Sequence, residues 1–334
     1  MAYPAEPSAR DRFVLGRRRT RLLHDPWRYQ DLIVEDERTA EGHRAHAATV
    51  LLTGRECPWR CAMCDLWQYT TVADTPRGAI PVQLRAAREA LRTEAEPVTT
   101  MKLYNAGSFF DPRAVPDDDY DEVARALAGL SRIVVESHPA LVGPRVDRLL
   151  ASLAALAGCD GPPALEVAMG LETAHPDALD RLNKHFTIAG FALAAQSLAD
   201  RGVALRVFLL IGPPFVPEGE QDAWLLRSID AAFSFGATVV SLIPTRAGNG
   251  TLEDLESEGW FHAPSLGDIE RSFDLALTHA AHHGRVFVDV WDVDRFGRCP
   301  DCLEARRARL HAMNLEQHVL PPHACPCGAR HSWQ

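Results

Sequence analysis

No apolar run in the 334 residues approaches the ~18–20 needed to cross a bilayer. The opening segment, MAYPAEPSARDRFVLGRRRT, lacks an apolar stretch long enough for a secretory signal. A cytoplasmic protein with no membrane partner is the expectation. Aromatic residues are sparse at 7%, and 35 Lys+Arg against 45 Asp+Glu leave a net charge of −10. That balance argues against broad electrostatic binding to nucleic acid and leaves room for a local basic patch, so tRNA is a possible partner that the charge does not favour. No low-complexity tract or short-period repeat is visible. Cysteines number only 8, too few for a disulfide scaffold, and cytosolic disulfides are rare. All but Cys159 fall into two tight groups, a pattern that points to metal. Cys159 itself reads as a plain loop or buried thiol.

What is present suits a globular chain. An apolar fraction of 46% can bury a large core, and 24% charged residues fit neither a disordered tail nor a fibre. Residues 1–45 are polar and arginine-rich (Arg10, Arg12, Arg17, Arg18, Arg19, Arg21) and read as an N-terminal arm laid on the main domain, with a phosphate-contacting arm as the other reading. From 46 to 297 short β-branched runs alternate with amphipathic stretches. Candidate strands are Ala48–Thr53, Thr99–Asn105, Arg132–Glu136, Ala164–Gly170, Ala204–Ile211, Thr238–Ile243 and Arg285–Trp291. Runs that are apolar throughout fit parallel strands covered on both faces. Helical periods lie between them, at Val82–Thr93, Asp119–Leu130, His175–Leu182, Ile188–Arg201, Glu220–Phe235 and Asp268–His283. Strand then helix, repeated, predicts a parallel α/β architecture, either an open doubly wound sheet or a barrel. The acidic run Asp117–Asp119 reads as a helix start complementing the dipole.

The sharpest signal is CPWRCAMC, which places Cys57, Cys61 and Cys64 just after the first candidate strand. A closed structural zinc site takes four ligands, and a cubane iron–sulfur cluster takes one per iron. Three thiolates therefore leave one coordination position open to a small molecule, unless a distant fourth ligand completes a zinc site.

C-x3-C-x2-C after the first strand of a β/α repeat resembles the radical S-adenosylmethionine (radical SAM) superfamily. The resemblance implies a partial parallel (β/α)6-type barrel whose three cysteines hold a 4Fe–4S cluster. It also implies S-adenosylmethionine on the open iron, cleaved by one electron to a 5′-deoxyadenosyl radical that takes hydrogen from a substrate. Carried over, Cys57, Cys61 and Cys64 are the cluster ligands and Met63 lies near the adenine. Gly107 and Ser108 stand where backbone groups hold the methionine amine. Glu172 matches a ribose or methionyl contact, and Gly212 runs beside the adenine. An electron donor such as flavodoxin or ferredoxin is implied. Longer strings resemble one subgroup, the radical SAM subunit of archaeosine synthase, which acts on a lysine adduct of a deazaguanine base in tRNA. These strings are KLYNAGSFFDP (102–112), the turn Glu136–Pro139, GLETAHPDALDRLNKHFT (170–187), LLIGPPF (209–215) and the 244–251 loop. A modified nucleobase or other small molecule is the implied substrate. Polar groups at strand ends are the candidates to receive it: Asn105, Ser108, Glu136, His138, Asn183, Lys184, Arg246, Asn249 and Asp289.

Residues 298–334 read as a small Cys-rich metal-binding extension. Cys299 and Cys302 form one close pair, and Cys325 and Cys327 another, with Gly328 suited to a tight turn and His311, His318, His323 and His331 nearby. A structural zinc knuckle is expected, with an auxiliary iron–sulfur cluster as the alternative. The run Glu304–Leu315 between the pairs reads as a surface helix. The competing functional reading is a non-catalytic zinc-stapled nucleic-acid or protein adaptor. Methyl or aminocarboxypropyl transfer from the same cofactor is a third.

Overall fold

Eight strands form one sheet whose spatial order follows the chain. The computed structural model describes residues 2–156, 161–325 and 327; Cys159, Gly328 and His331 lie outside them. β1 (Asp31–Arg38) is antiparallel to β2 (Arg44–Leu52). Then β3 (Thr100–Asn105), β4 (Arg132–Glu136), β5 (Ala164–Glu172), β6 (Ala204–Ile211), β7 (Ala237–Pro244) and β8 (Arg285–Val288) follow in parallel. The helices are α1 (Pro7–Arg17), α2 (Ala79–Ala90), α3 (Tyr120–Ala126), α4 (Pro144–Ala155), α5 (Pro176–Arg181), α6 (Ile188–Ala199), α7 (Gln221–Ser234), α8 (Thr251–Ser257), α9 (Leu266–Ala280) and α10 (Pro300–Glu316). All seven expected parallel strands are present. The last is shorter than expected: it stops at Val288, after which Asp289 turns to hold the backbone N–H of Trp291.

Flat sheets would separate strands three places apart by about 14 Å. Here the rings of Tyr104 on β3 and Phe208 on β6 have centroids 5.8 Å apart. Arg206 on β6 also donates to Glu37 on β1 at 2.6 Å. The sheet is therefore curled into an open barrel, the partial parallel barrel expected. Apolar side chains on its outer face, such as Met101, Leu103, Ile133, Val167 and Leu205, form the core with the surrounding helices.

Residues 1–45, expected as an arm laid on the main domain, supply α1 and β1. Within α1, Phe13 and Val14 are buried and Arg10 ties to Asp180 at 2.8 Å. β1 escaped the apolar pattern because two of its side chains, Glu35 and Glu37, are the anions of a charge lattice inside the barrel. Lys102 meets both at 2.9 and 2.6 Å. Arg206 joins Glu37 to Glu166, and Arg132 meets Glu166 at 2.8 Å. Interior ions persist only when paired and hydrogen-bonded, and here each has at least one counter-charge in contact.

β1 and β8 do not pair, and α10 packs against both. The surface helix expected between the cysteine pairs is this one, and its inner side is docked on the barrel. Arg306 is buried against Glu270 at 2.6 Å and Arg309 against Asp274 at 2.8 Å. At its C-terminal end two amide side chains substitute for a ninth strand. Asn314 Oδ1 and Gln317 Oε1 accept the N–H groups of Val288 and Val286, and their Nδ2 and Nε2 donate to the same residues' carbonyls, all at 2.8–2.9 Å. The acidic run Asp117–Asp119 forms a 3-10 turn entering α3, where Asp117 also binds Arg145 at 2.8 Å.

Candidate active site

The C-terminal ends of β2–β8 open at one end of the barrel, where parallel β/α folds place functional groups. The cysteine loop follows β2 and is pinned across that opening from both sides. Ala62 N–H donates to Leu182 O at 3.0 Å. Asn183 Nδ2 donates to Arg60 O at 2.9 Å and to Asp11 at 2.8 Å. Asn249 Nδ2 donates to Ala62 O at 2.8 Å and Cys64 O at 3.3 Å, while its Oδ1 accepts from the N–H groups of Thr251 and Leu252 at 2.9 Å. A primary amide offers two donors and two acceptor sites. Asn249, expected as a substrate group, is thus fully occupied in shaping the loop. Before Cys57, Glu56 is clamped by Arg18 at 2.7 Å and by Arg21.

His138 is likewise committed. Its Nδ1 accepts from Ala140 N–H at 3.1 Å, so Nε2 carries the proton toward Lys184 O at 2.8 Å. Burial and the Lys184 charge push its pKa down to about 3. The neutral ring stacks on Trp59 with centroids 3.5 Å apart and planes inclined by 13°. It braces the cysteine loop and has no ring nitrogen free for substrate. Met63, expected beside an adenine, is partly buried against a satellite apolar cluster that includes Phe215 and Leu252.

The three thiols interact with one another, Cys57 and Cys61 both adding to the charge penalty at Cys64. Burial pushes all three up, Cys61 to about 12. Thiols so placed ionise only with a cation to compensate them. One cation is already close. Lys184 Nζ donates to Glu172 Oε1 at 2.5 Å and to Gly170 O at 2.8 Å. Burial alone would lower its pKa, but the Glu172 carboxylate and the neighbouring Cys61 raise it, so the amine is an ammonium. Gly170 makes this possible, since a Cβ there would sit 2.5 Å from the Lys184 nitrogen.

At the end of β3, Gly107 has no space for a Cβ, which would lie 2.1 Å from Arg55 O. Ser108, with φ +85°, accepts His138 N–H at 3.0 Å. Asn105 is 95% buried by its 5% exposure, and neither atom of its amide has a partner. Glu136, half-buried beside it, is pushed up to about 7 by burial, which Lys184 and the Asn105 backbone N–H only partly offset. Gly212 turns the chain after β6 with φ +69° and borders a narrow cleft with Glu172, Thr173 and Gln221. Arg246 pairs with Asp289, and its buried Nε makes no hydrogen bond, lying 3.9 Å from the Asp292 carboxylate.

Along strands otherwise buried, Leu51, Tyr104, Glu136, Phe208, Ile243 and Asp289 are partly exposed. They mark a chamber whose aromatic floor, Tyr104 against Phe208, lies one pleat above Lys102 and Arg206 of the charge lattice. Sequence reasoning missed Tyr104, Phe208 and Trp59. The available signal was a charge every so often in strands read as uniformly apolar: Lys102, Glu166 and Arg206 betray an inward face.

Among the described residues, Cys299, Cys302, Cys325 and Cys327 are the one group of three or more Cys, His, Asp or Glu whose ligand atoms all lie within 4.8 Å of one another. They can hold a metal.

No family model matches the chain. It is similar to archaeosine synthase subunit beta of Methanosarcina acetivorans, with 28% identity over 238 residues, 68% of this chain and 66% of that one. It is also similar to archaeosine synthase subunit beta of Thermococcus kodakarensis, with 29% identity over 171 residues, 49% and 50% of the two chains. The match thus spans between half and two thirds of these relatives' length. Coproporphyrinogen III oxidase (HemN) from Escherichia coli, a radical SAM enzyme, is a structural neighbour with a TM-score of 0.44 and 13% identity, over 69% of this chain and 50% of that one. The resemblance carried by the cysteine triplet and the strand-end strings is therefore met by relatives of that name.

Proposed function

We propose that this chain is a radical SAM enzyme whose Cys57, Cys61 and Cys64 hold a 4Fe–4S cluster at the barrel mouth. The observation that carries the reading is a triplet of thiols at the open end of a parallel barrel, Cys61 buried and Cys57 and Cys64 partly exposed, with a fixed ammonium, Lys184, beside Cys61 and an unpartnered buried amide, Asn105, at a neighbouring strand end. When bound, the cluster and S-adenosylmethionine together supply a carbon radical able to take a hydrogen atom from substrate.

The chain's own contributions follow from its geometry. Asn183 and Asn249 hold the loop so that its thiols converge. Lys184 offers positive charge to thiolates and to a cofactor carboxylate. Glu172 orients that ammonium and turns toward the Gly212 cleft, where a nucleoside would lie. The unpaired amide of Asn105 and the backbone at Gly107 and Ser108 offer polar contacts to an amino acid headgroup. Substrate would enter the chamber over Tyr104 and Phe208. An aromatic floor stacks planar rings, and Glu136 and Asp289 can accept N–H donors. With relatives named archaeosine synthase subunit beta, a deazaguanine nucleobase, free or in tRNA, is the substrate class to try first, with a second subunit as partner and flavodoxin or ferredoxin as reductant. Among the described residues no helix is long and apolar enough to cross a membrane, and a cytoplasmic setting fits oxygen-sensitive iron.

Anaerobic reconstitution tests the reading. Iron and sulfide should bind in cluster stoichiometry, and dithionite with S-adenosylmethionine should yield 5′-deoxyadenosine. Each of Cys57→Ala, Cys61→Ala and Cys64→Ala should abolish both. A colourless protein carrying zinc at the triplet would establish the adaptor reading instead.

A further inference from the structure

The barrel chemistry leaves the second cysteine group unused. We propose that Cys299, Cys302, Cys325 and Cys327 bind one tetrahedral zinc ion that latches α10 across the open seam of the barrel.

The spacing selects the ion. Cys299 Sγ lies 3.8 Å from Cys325 Sγ, and Cys302 Sγ lies 3.8 Å from Cys327 Sγ. A zinc ion with bonds of about 2.3 Å sets its sulfurs about 3.8 Å apart at the corners of a tetrahedron. A cubane cluster puts each thiolate on a separate iron and spreads the four well beyond the 4.8 Å that contains them all here. Disulfides would bring the sulfurs to about 2 Å. The four are free thiols at these distances, and their paired C-x2-C and C-x-C spacing is that of a closed site with no position left open.

The position selects the role. Cys299 is the residue before α10 and Cys302 lies in its first turn, whereas Cys325 and Cys327 come from the segment returning after it. One ion would bind both ends of that excursion. The helix needs such a fastening because little apolar surface holds it: apart from Cys302, its buried residues are Arg306, Arg309, Leu310 and Met313. Arg309 also donates to the carbonyls of Leu320 and Pro321, which folds the returning segment onto the helix. Asn314, in the last turn of the same helix, and Gln317, the residue that caps it, cover the edge of β8. Loss of the ion therefore releases the β8 edge at Val286 and Val288, and with it Asp289, the partner of Arg246 at the mouth.

Purified full-length protein and its Cys57→Ala/Cys61→Ala/Cys64→Ala variant should both carry one zinc per chain by mass spectrometry. X-ray absorption at the zinc edge should show four sulfurs at about 2.3 Å. Removing the ion from wild-type protein with a mercurial and a chelator should speed amide exchange at Val286 and Val288 by about ten-fold or more, while β4 amides stay protected. Cys325→Ser, if it folds, should show the same exchange pattern. Iron and sulfide bound at these thiols, or unchanged β8 protection in zinc-free protein, would overturn the latch. Because the triplet variant is included, failure of the radical reading leaves this test intact.

Discussion

Lys184 reaches over Gly170 to set its ammonium 2.5 Å from the Glu172 carboxylate, twelve residues earlier in the chain. Both groups are buried, so the cost of desolvating them offsets much of their attraction, but removing one partner alone is costly because it strands the other charge. Lys184→Met leaves a buried carboxylate without its counter-charge and should cost about 3–5 kcal/mol in urea denaturation. Adding Glu172→Gln should recover part of that loss. A double variant no more stable than the single would show that the pair does not act as a unit.

The charge lattice makes an acid-stability prediction. Burial raises the pKa of Glu37, but the Arg206 and Lys102 charges outweigh it and hold the carboxylate well below its ordinary range. A carboxylate with a depressed folded pKa stabilises the fold above its unfolded pKa, and that contribution is lost as pH falls. Arg206→Met should be destabilised by about 3–5 kcal/mol at pH 7. It should also lose less stability than wild type between pH 7 and pH 4, by urea midpoints at each pH.

Glu136 works in the opposite sense. Its folded pKa, about 7, lies above the unfolded value, so between roughly pH 4.5 and 7 the folded state binds more protons. Stability falls as pH rises through that window. Glu136→Gln should flatten the profile and leave the protein about 2–3 kcal/mol more stable at pH 8. An unaltered slope would place Glu136 in a wetter site than its burial implies.

Asn249→Ala removes every side-chain bond between the 249 position and the cysteine loop. Iron retained after reconstitution should fall by about half or more, with a stability cost of about 1–3 kcal/mol. Asn249→Asp keeps the acceptor for Thr251 and Leu252 but not the donors to Ala62 and Cys64. It should therefore match Ala in iron loss while keeping more stability.

Much of the fold was legible because covered parallel strands are written as apolar runs, and the cysteine triplet because three thiols at fixed spacing rarely serve packing. Strand β1 was hidden, since its apolar run is only Leu32-Ile33-Val34 before the charged residues Glu35 to Arg38, of which Glu35 and Glu37 serve the interior. The tasks of His138 and Asn249 were hidden for another reason. A polar residue at a strand end looks the same whether it faces ligand or backbone, and only the three-dimensional partners reveal that all its hydrogen-bonding capacity is spent. Tyr104 and Phe208 could not be paired in advance, because they meet only after the sheet curls.

The lattice of Lys102, Arg206, Glu37 and Glu166 completes its own contacts beneath the aromatic pair and asks nothing of the space above. The barrel is in effect two storeys with separate foundations. The upper storey can be refurnished at Leu51, Ile243 or Phe208 to admit molecules of other shapes, while the lower one keeps the building upright.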